Sequence, residues 1–187
     1  QPTQSIALRF QFTYLGAHVV AAKRDPTAIF KESILGIAYP TPNLDAKGKY
    51  VLRPFATILR TMDELDGMLC RDEMIVGPLC LENDRKQATF EAMISELKSL
   101  RQGKYSLEEK KDSISRERGI TTNTMGNYTR FPLAVMEWTG WTIKQRRGDY
   151  YKKLIPFLVL TSEGRRELQK ISLSNDIRGT DLQATDN

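Results

Sequence analysis

The stretch WTIKQRRGDYYKKLIPFLVLTSEGRREL, residues 141–168, decides the fold. Trp141 to Gln145 alternate as a strand, Arg146 to Asp149 supply the glycine and aspartate of a turn, and Tyr150 to Leu160 return as a second strand. Pro156 lacks a ladder donor and marks that strand as an edge. Phe157, Val159 and Leu160 close it. Thr161 can then cap a helix, in which Gly164 and Leu168 are spaced so that helix and strand pack closely. A hairpin delivered straight into a helix is the expected closing unit of the domain.

The same device recurs near the other end. Ile6, Leu8, Phe10 and Phe12 share one face of a strand, Thr13 stands where a helix begins, and Gly16, Val19 and Val20 follow at helical spacing. Residues 1–38 are accordingly expected to be the C-terminal part of a preceding module of the same kind. Gln1 opens the chain directly on this pattern, which reads as an internal fragment.

Between the two devices the pattern is mostly helical. Asp25-Pro26 is a start signal, and Phe30, Ile34 and Ile37 are expected to form one face of the helix that follows. Tyr39 to Leu52, with Pro40, Pro42 and Gly48, reads as a linker. Pro54 opens a helix with Phe55, Ile58, Leu59, Met62 and Leu65 at helical spacing, and Asp66-Gly67 ends it. Met68-Leu69 suits a short strand, Arg71-Asp72-Glu73 the start of a brief helix, and Gly77-Pro78 its break.

From Asn83 or Asp84, the latter as cap, an amphipathic helix is expected to reach Gln102, with Phe90, Met93, Ile94, Leu97 and Leu100 inward and Gly103 as stop. Ser106 and Glu109 form a capping-box pair for a polar helix to Arg118 or Gly119, with a thin apolar face of Leu107 and Ile114. That helix either lies on the surface or orders against a partner. Ile120 to Asn123 leads into a helix expected to end near Trp138-Thr139-Gly140, with Met125, Tyr128, Pro132, Val135 and Met136 inward. Pro132 either kinks it or starts a second one. After Ser172 the chain reads as a polar tail.

The 187 residues have 40% hydrophobic and 27% charged side chains, enough for a real core. The fold class expected is mainly α with small β-hairpins (α+β). Helix, short strand, helix, helix, hairpin, helix is the element order of a winged helix, here spanning 53–171 with a helical insertion at 83–119. No apolar run is long enough to span a membrane. Cys70 and Cys80 lack metal or redox spacing and suit buried free thiols in a reducing cytoplasm.

The net charge is +5, unevenly spread. Residues 61–84 carry seven acids against one base, a net of −6. Residues 141–153 carry Lys144, Arg146, Arg147, Lys152 and Lys153 against Asp149, a net of +4. A basic hairpin is a phosphate-binding feature; its bland reading is a solvated, solubilising turn. Thr121, Thr122, Asn123, Thr124, Asn127, Tyr128 and Arg130 open the candidate recognition helix. Asn can pair with adenine, Arg with guanine, and Thr suits phosphate or a thymine methyl, although at least one of these residues must be a cap. Arg116 and Arg118, just upstream, are candidates to clamp phosphates.

The run from Tyr39-Pro40-Thr41 through Leu52-Arg53-Pro54-Phe55 belongs to a longer pattern, continued by Trp138-Thr139-Gly140-Trp141, Arg146-Arg147-Gly148 and Phe157-Leu158-Val159-Leu160. Together these resemble the recognition region of AlwI-like type IIS restriction endonucleases and their strand-nicking relatives. Phe12-Thr13 with Gly16, and Arg24-Asp25-Pro26, resemble the part before it. The resemblance implies winged-helix subdomains that bind a short asymmetric site in double-stranded DNA. It also implies a separate C-terminal nuclease domain of the PD-(D/E)xK type that uses Mg²⁺.

This chain itself is expected to hold no catalytic or metal residues. Glu96-Leu97-Lys98 and Glu108-Glu109-Lys110 match the E-x-K half formally, with Asp84 upstream, yet all sit in helical patterns, whereas a magnesium site needs converging strands. His18 has no companion ligand or nucleophile, and Arg147-Gly148-Asp149 is explained as a turn. The rival expectations are a winged-helix transcription regulator, which takes palindromic sites as a dimer, and a winged-helix protein-protein assembly module.

Overall fold

Pro54 stands at the first helical position, where its missing N–H is no loss, and apolar residues three and four apart follow. The computed structural model, which describes residues 17, 20, 21, 25–38 and 51–181, has a helix α2 at Pro54–Glu64. Phe55, Ile58, Leu59, Met62 and Leu65 are all buried. Each such side chain contributes about 1.5–3 kcal/mol when removed from water. The strand expected at Ile6–Phe12, the helix start at Thr13 and the linker residues 39–50 lie outside the described residues.

The chain divides into two units, residues 1–34 and 35–187. Helix α1, Pro26–Gly36, is capped as expected, with both Asp25 carboxylate oxygens accepting from the amides of Thr27 and Ala28 at 3.2 and 3.1 Å. Its buried residues are Ile29 and Ile34. Phe30 and Ile37, expected on the inner face, are 46% and 45% exposed.

In residues 35–187 the order after α2 is β1 (Met68–Cys70), α3 (Arg71–Val76), a 3₁₀ turn at Pro78–Cys80, α4 (Gln87–Arg101), α5 (Leu107–Arg118), α6 (Thr122–Tyr128), α7 (Arg130–Trp138), β2 (Thr142–Arg147), β3 (Ile155–Leu160) and α8 (Ser162–Asp181). The described part of this unit is mostly helical, with one three-stranded antiparallel sheet of order β1-β3-β2. α2 packs on β1, α7 and α8, while α3 packs on α5 and α6.

Several expectations change. Asp84 does not cap α4, which starts at Gln87. Its carboxylate is buried instead, accepting from the backbone and side chain of Arg53 at 3.3 and 2.8 Å. The second strand begins at Ile155 rather than Tyr150, so the hairpin connection is longer than a tight turn.

β3 is central rather than an edge, but β1 ends opposite Phe157, so Pro156 has only β2 beside it and its missing donor breaks no second ladder. Tyr128 is 62% exposed, because α6 ends there and buried Thr129 takes the inward position as α7 starts. Pro132 thus falls in the first turn of α7, where no helical N–H is required. Residues 172–181, which read from sequence as polar tail, continue α8.

Gly164 behaves as its spacing suggests. A Cβ there would sit on the Trp141 carbonyl oxygen and 3.0 Å from Leu160 Cδ2, so glycine lets α8 lie against the start of β2. Thr161 caps α8, its hydroxyl accepting from the Gly164 amide at 3.1 Å and donating to the Gly140 carbonyl at 2.7 Å. No described helix is long and apolar enough to cross a membrane.

Candidate nucleic-acid interface

The polar helix α5 is docked rather than loose. Leu107 and Ile114 are buried, and Lys111 Nζ pairs with Asp72 Oδ2 on α3 and with Glu108 Oε2, both at 3.1 Å. Ser106 Oγ caps it, accepting from the Glu109 amide. Gly119 ends it at φ 63°, a left-handed conformation that costs glycine nothing. The Ser115 hydroxyl donates to the Ile120 carbonyl at 2.6 Å, and Thr121 then caps α6 by accepting from the Thr124 amide at 3.1 Å. Two helices thus meet across Gly119, Ile120 and Thr121.

α6 is clamped from behind by α3. Arg71 Nε donates to Thr129 Oγ1 at 3.0 Å, and Thr129 Oγ1 donates to the Gly126 carbonyl at 2.7 Å. A Cβ at Gly126 would overlap the Arg71 guanidinium, so a small residue is needed there. With Met125 and Gly126 turned inward, Thr122, Asn123, Asn127, Tyr128 and Arg130 are left facing solvent. Thr121 and Thr124 spend their hydroxyls largely on each other, 2.9 Å apart. Among the expected helix residues, Thr121 is the cap and Thr124 the residue whose amide it satisfies.

The expected basic residues fall into three groups. Lys144 and Arg146 alternate onto one face of β2, and Lys144 Nζ lies 3.6 Å from Glu137 of α7, which puts this face beside that helix. Arg147, on the other face, is held by Asp149 at 2.7 Å. The same bond, to a positively charged donor, holds the Asp149 carboxyl below its ordinary pKa.

Lys152 and Lys153 are exposed near the hairpin tip and line a cleft of about 690 Å³ that Asp72, Glu108 and Tyr105 also line. Arg116 and Arg118 form the third group, at the exposed end of α5. Arg116 Nε donates to the Asp112 carbonyl at 3.3 Å and Arg118 Nη2 to the Cys80 carbonyl at 3.0 Å. Arg118 borders a mainly apolar groove of about 600 Å³, with Ile114, Ile120, Met125, Tyr128 and Phe131.

One constellation has no precursor in the sequence reading. Glu73, 0% exposed, accepts from Arg101 Nε at 2.7 Å, Arg101 Nη2 at 3.0 Å, the Cys70 amide at 2.9 Å and the Tyr151 hydroxyl at 2.7 Å. Arg101 also donates to the Leu65 and Met68 carbonyls at 2.9 and 2.7 Å, and the Tyr150 ring lies 4.5 Å from its guanidinium carbon. Burial, then the adjacent Glu73 charge, push the Tyr151 hydroxyl well above its ordinary pKa. The one legible signal was Glu73 three residues after Cys70, as in a capping box. The partners are 28 and 78 residues away.

Among the described residues no three His, Cys, Asp or Glu side chains are grouped to hold a metal ion. The formal E-x-K matches lie on helices, where Lys98 pairs with Glu64, Lys110 with Glu96 and Glu108 with Lys111. These carboxylates face lysines rather than one another, a donor set that does not fit the magnesium ion implied by the resemblance. Compared with models of known protein families and with curated proteins, the chain matches none.

Proposed function

We propose that this chain is the target-recognition module of a type IIS restriction endonuclease of the AlwI-like kind, reading a short sequence in double-stranded DNA through a winged helix. The observation that carries the reading is the α5–α6 corner followed by α7 and the β2–β3 hairpin, in a sheet of order β1-β3-β2; in this reading α5, assigned from sequence to the helical insertion at 83–119, is instead the first helix of the pair. Two helices joined by a short glycine-containing turn are the architecture of a helix-turn-helix, whose second helix enters the major groove. On that second helix Asn123 and Asn127 are exposed, and exposed Arg130 opens α7 just beyond it, side chains suited to adenine and guanine edges. Lys144 and Arg146, beside α7, are suited to the flanking phosphates. Cleavage, and the magnesium it requires, belong in this reading to a nuclease domain other than these residues.

A second reading, a protein-protein assembly module, is favoured by one observation. Tyr128, Phe131 and Trp138, all on α6 and α7, are 62%, 66% and 55% exposed, a large apolar share for a helix that reads bases.

Titration of the 187-residue chain against random and selected duplexes at several salt concentrations separates the two. DNA recognition requires that Arg146→Ala weaken binding to all sequences alike and reduce the salt slope by about 1, whereas Asn127→Ala or Arg130→Ala changes the preferred sequence. Arg147→Ala has a smaller effect than Arg146→Ala, since Asp149 already partners Arg147. Binding that is weak at physiological salt and indifferent to all these replacements favours the assembly module. Preference for palindromic over asymmetric sites would instead indicate a transcription regulator.

A further inference from the structure

The tip of the β2–β3 hairpin has an unusual backbone. Tyr151 and Lys152 have φ values of 60° and 50°, two consecutive left-handed residues with side chains. Such conformations are costly for L-residues and persist only where surrounding structure enforces them. Here the enforcement is visible. The Tyr151 hydroxyl reaches inward to Glu73 at 2.7 Å, and Glu73 is fixed in turn by Arg101 and the Cys70 amide.

Tyr150 adds a second attachment, its ring 6.1 Å from that of Phe157 and its hydroxyl 3.3 Å from Asp66 Oδ2. The two tyrosines face inward while the next two residues, Lys152 and Lys153, remain exposed. Solvated loops of this length ordinarily sample many conformations. This one is tied to the buried centre of the domain.

We propose that Tyr151 is the positioning residue of the hairpin: its bond to buried Glu73 holds the tip in one conformation and so presents Lys152 and Lys153, already ordered, to the phosphates of a DNA backbone. The inference rests on the DNA-binding reading above and extends it to lysines that lie apart from the α7 side of the hairpin. Tyr151 itself touches no phosphate. Its contribution is the ordering that the tip would otherwise undergo on binding.

The test compares the wild-type chain, Tyr151→Phe, the double variant Lys152→Ala/Lys153→Ala, and the triple variant. Tyr151→Phe keeps the ring and removes one hydrogen bond, so the domain remains folded. Amide exchange without DNA is expected to speed up at residues 148–154 in Tyr151→Phe and to stay unchanged in α2. Affinity for a duplex is expected to fall about three- to tenfold with the salt slope unchanged, because the bound state makes the same phosphate contacts. The lysine double variant is expected to reduce the slope by about 2. Adding Tyr151→Phe to it is expected to cost nothing further.

Unchanged exchange at the tip overturns the positioning role. An equal loss of affinity from Tyr151→Phe in both backgrounds overturns the route through the lysines. Failure of the wild-type chain to bind any duplex overturns the DNA reading and the presenting role that depends on it. The exchange measurement then still decides, without DNA, whether Tyr151 orders the tip.

Discussion

Replacing Gly164 with alanine places a methyl group where the structure has none to spare. The new Cβ would sit on the Trp141 carbonyl oxygen, 3.1 Å from that carbonyl's carbon and 3.0 Å from Leu160 Cδ2. The nearest obstacle is backbone, so no side-chain rotation relieves it. The Trp141 carbonyl also accepts from the Thr161 amide at 2.9 Å and the Thr161 hydroxyl at 3.1 Å, contacts that hold the start of α8 against β2.

Moving α8 away to make room strains the core by about 1–3 kcal/mol. It also loosens the Thr161 amide hydrogen bond, worth about 1 kcal/mol. Against this, alanine in a helix is favoured over glycine by about 1 kcal/mol. The expected net cost is about 1–3 kcal/mol, a sizeable part of the roughly 5–15 kcal/mol that stabilises a domain. Urea unfolding followed by tryptophan fluorescence reads it directly, since Trp141 is completely buried beside the site. An alanine variant as stable as the wild type, or more so, would refute the close-approach argument.

Two further predictions concern buried groups. Arg101→Met strands the fully buried Glu73 carboxylate and is expected to cost about 3–5 kcal/mol in the same assay, while Glu73→Gln/Arg101→Met recovers part of that loss; a single-variant cost below about 1 kcal/mol would mean that the pair is not buried as described. Burial and the neighbouring Glu73 charge raise the Cys70 thiol pKa, and burial raises that of Cys80, whose Sγ also donates to the Ile75 carbonyl. At pH 8 a thiol reagent is therefore expected to leave Cys70 unmodified and to modify Cys80 slowly in the folded protein, both reacting promptly in urea; peptide mass spectrometry showing Cys70 modified as fast as Cys80 would contradict this.

What could be read along the chain was what local chemistry dictates. The caps Asp25, Ser106 and Thr161, the stops Gly103 and Gly119, the helix from Pro54 and the close-packing Gly164 depend on residues within a turn or two of one another. In two places where a reading failed, a distant partner had intervened. Asp84 looks like a helix cap until Arg53, 31 residues away, claims its carboxylate. Tyr128 keeps an inward helical period only if the helix does not restart at Thr129, and that restart is held by Arg71, 58 residues away.

The basic hairpin was visible as composition, but its division into a face beside α7, an arginine occupied by Asp149 and a tip tied to Glu73 was not. The sequence alone determined the caps and stops named above, the presence of the hairpin and an abundance of positive charge, because hydrophobic period, capping and turn preference are short-range. Only the tertiary structure decided which of those charges are free, which face they share and what holds them still. Such properties depend on side chains tens of residues apart meeting in a dry interior, where a carboxylate must find its partner or not be buried at all.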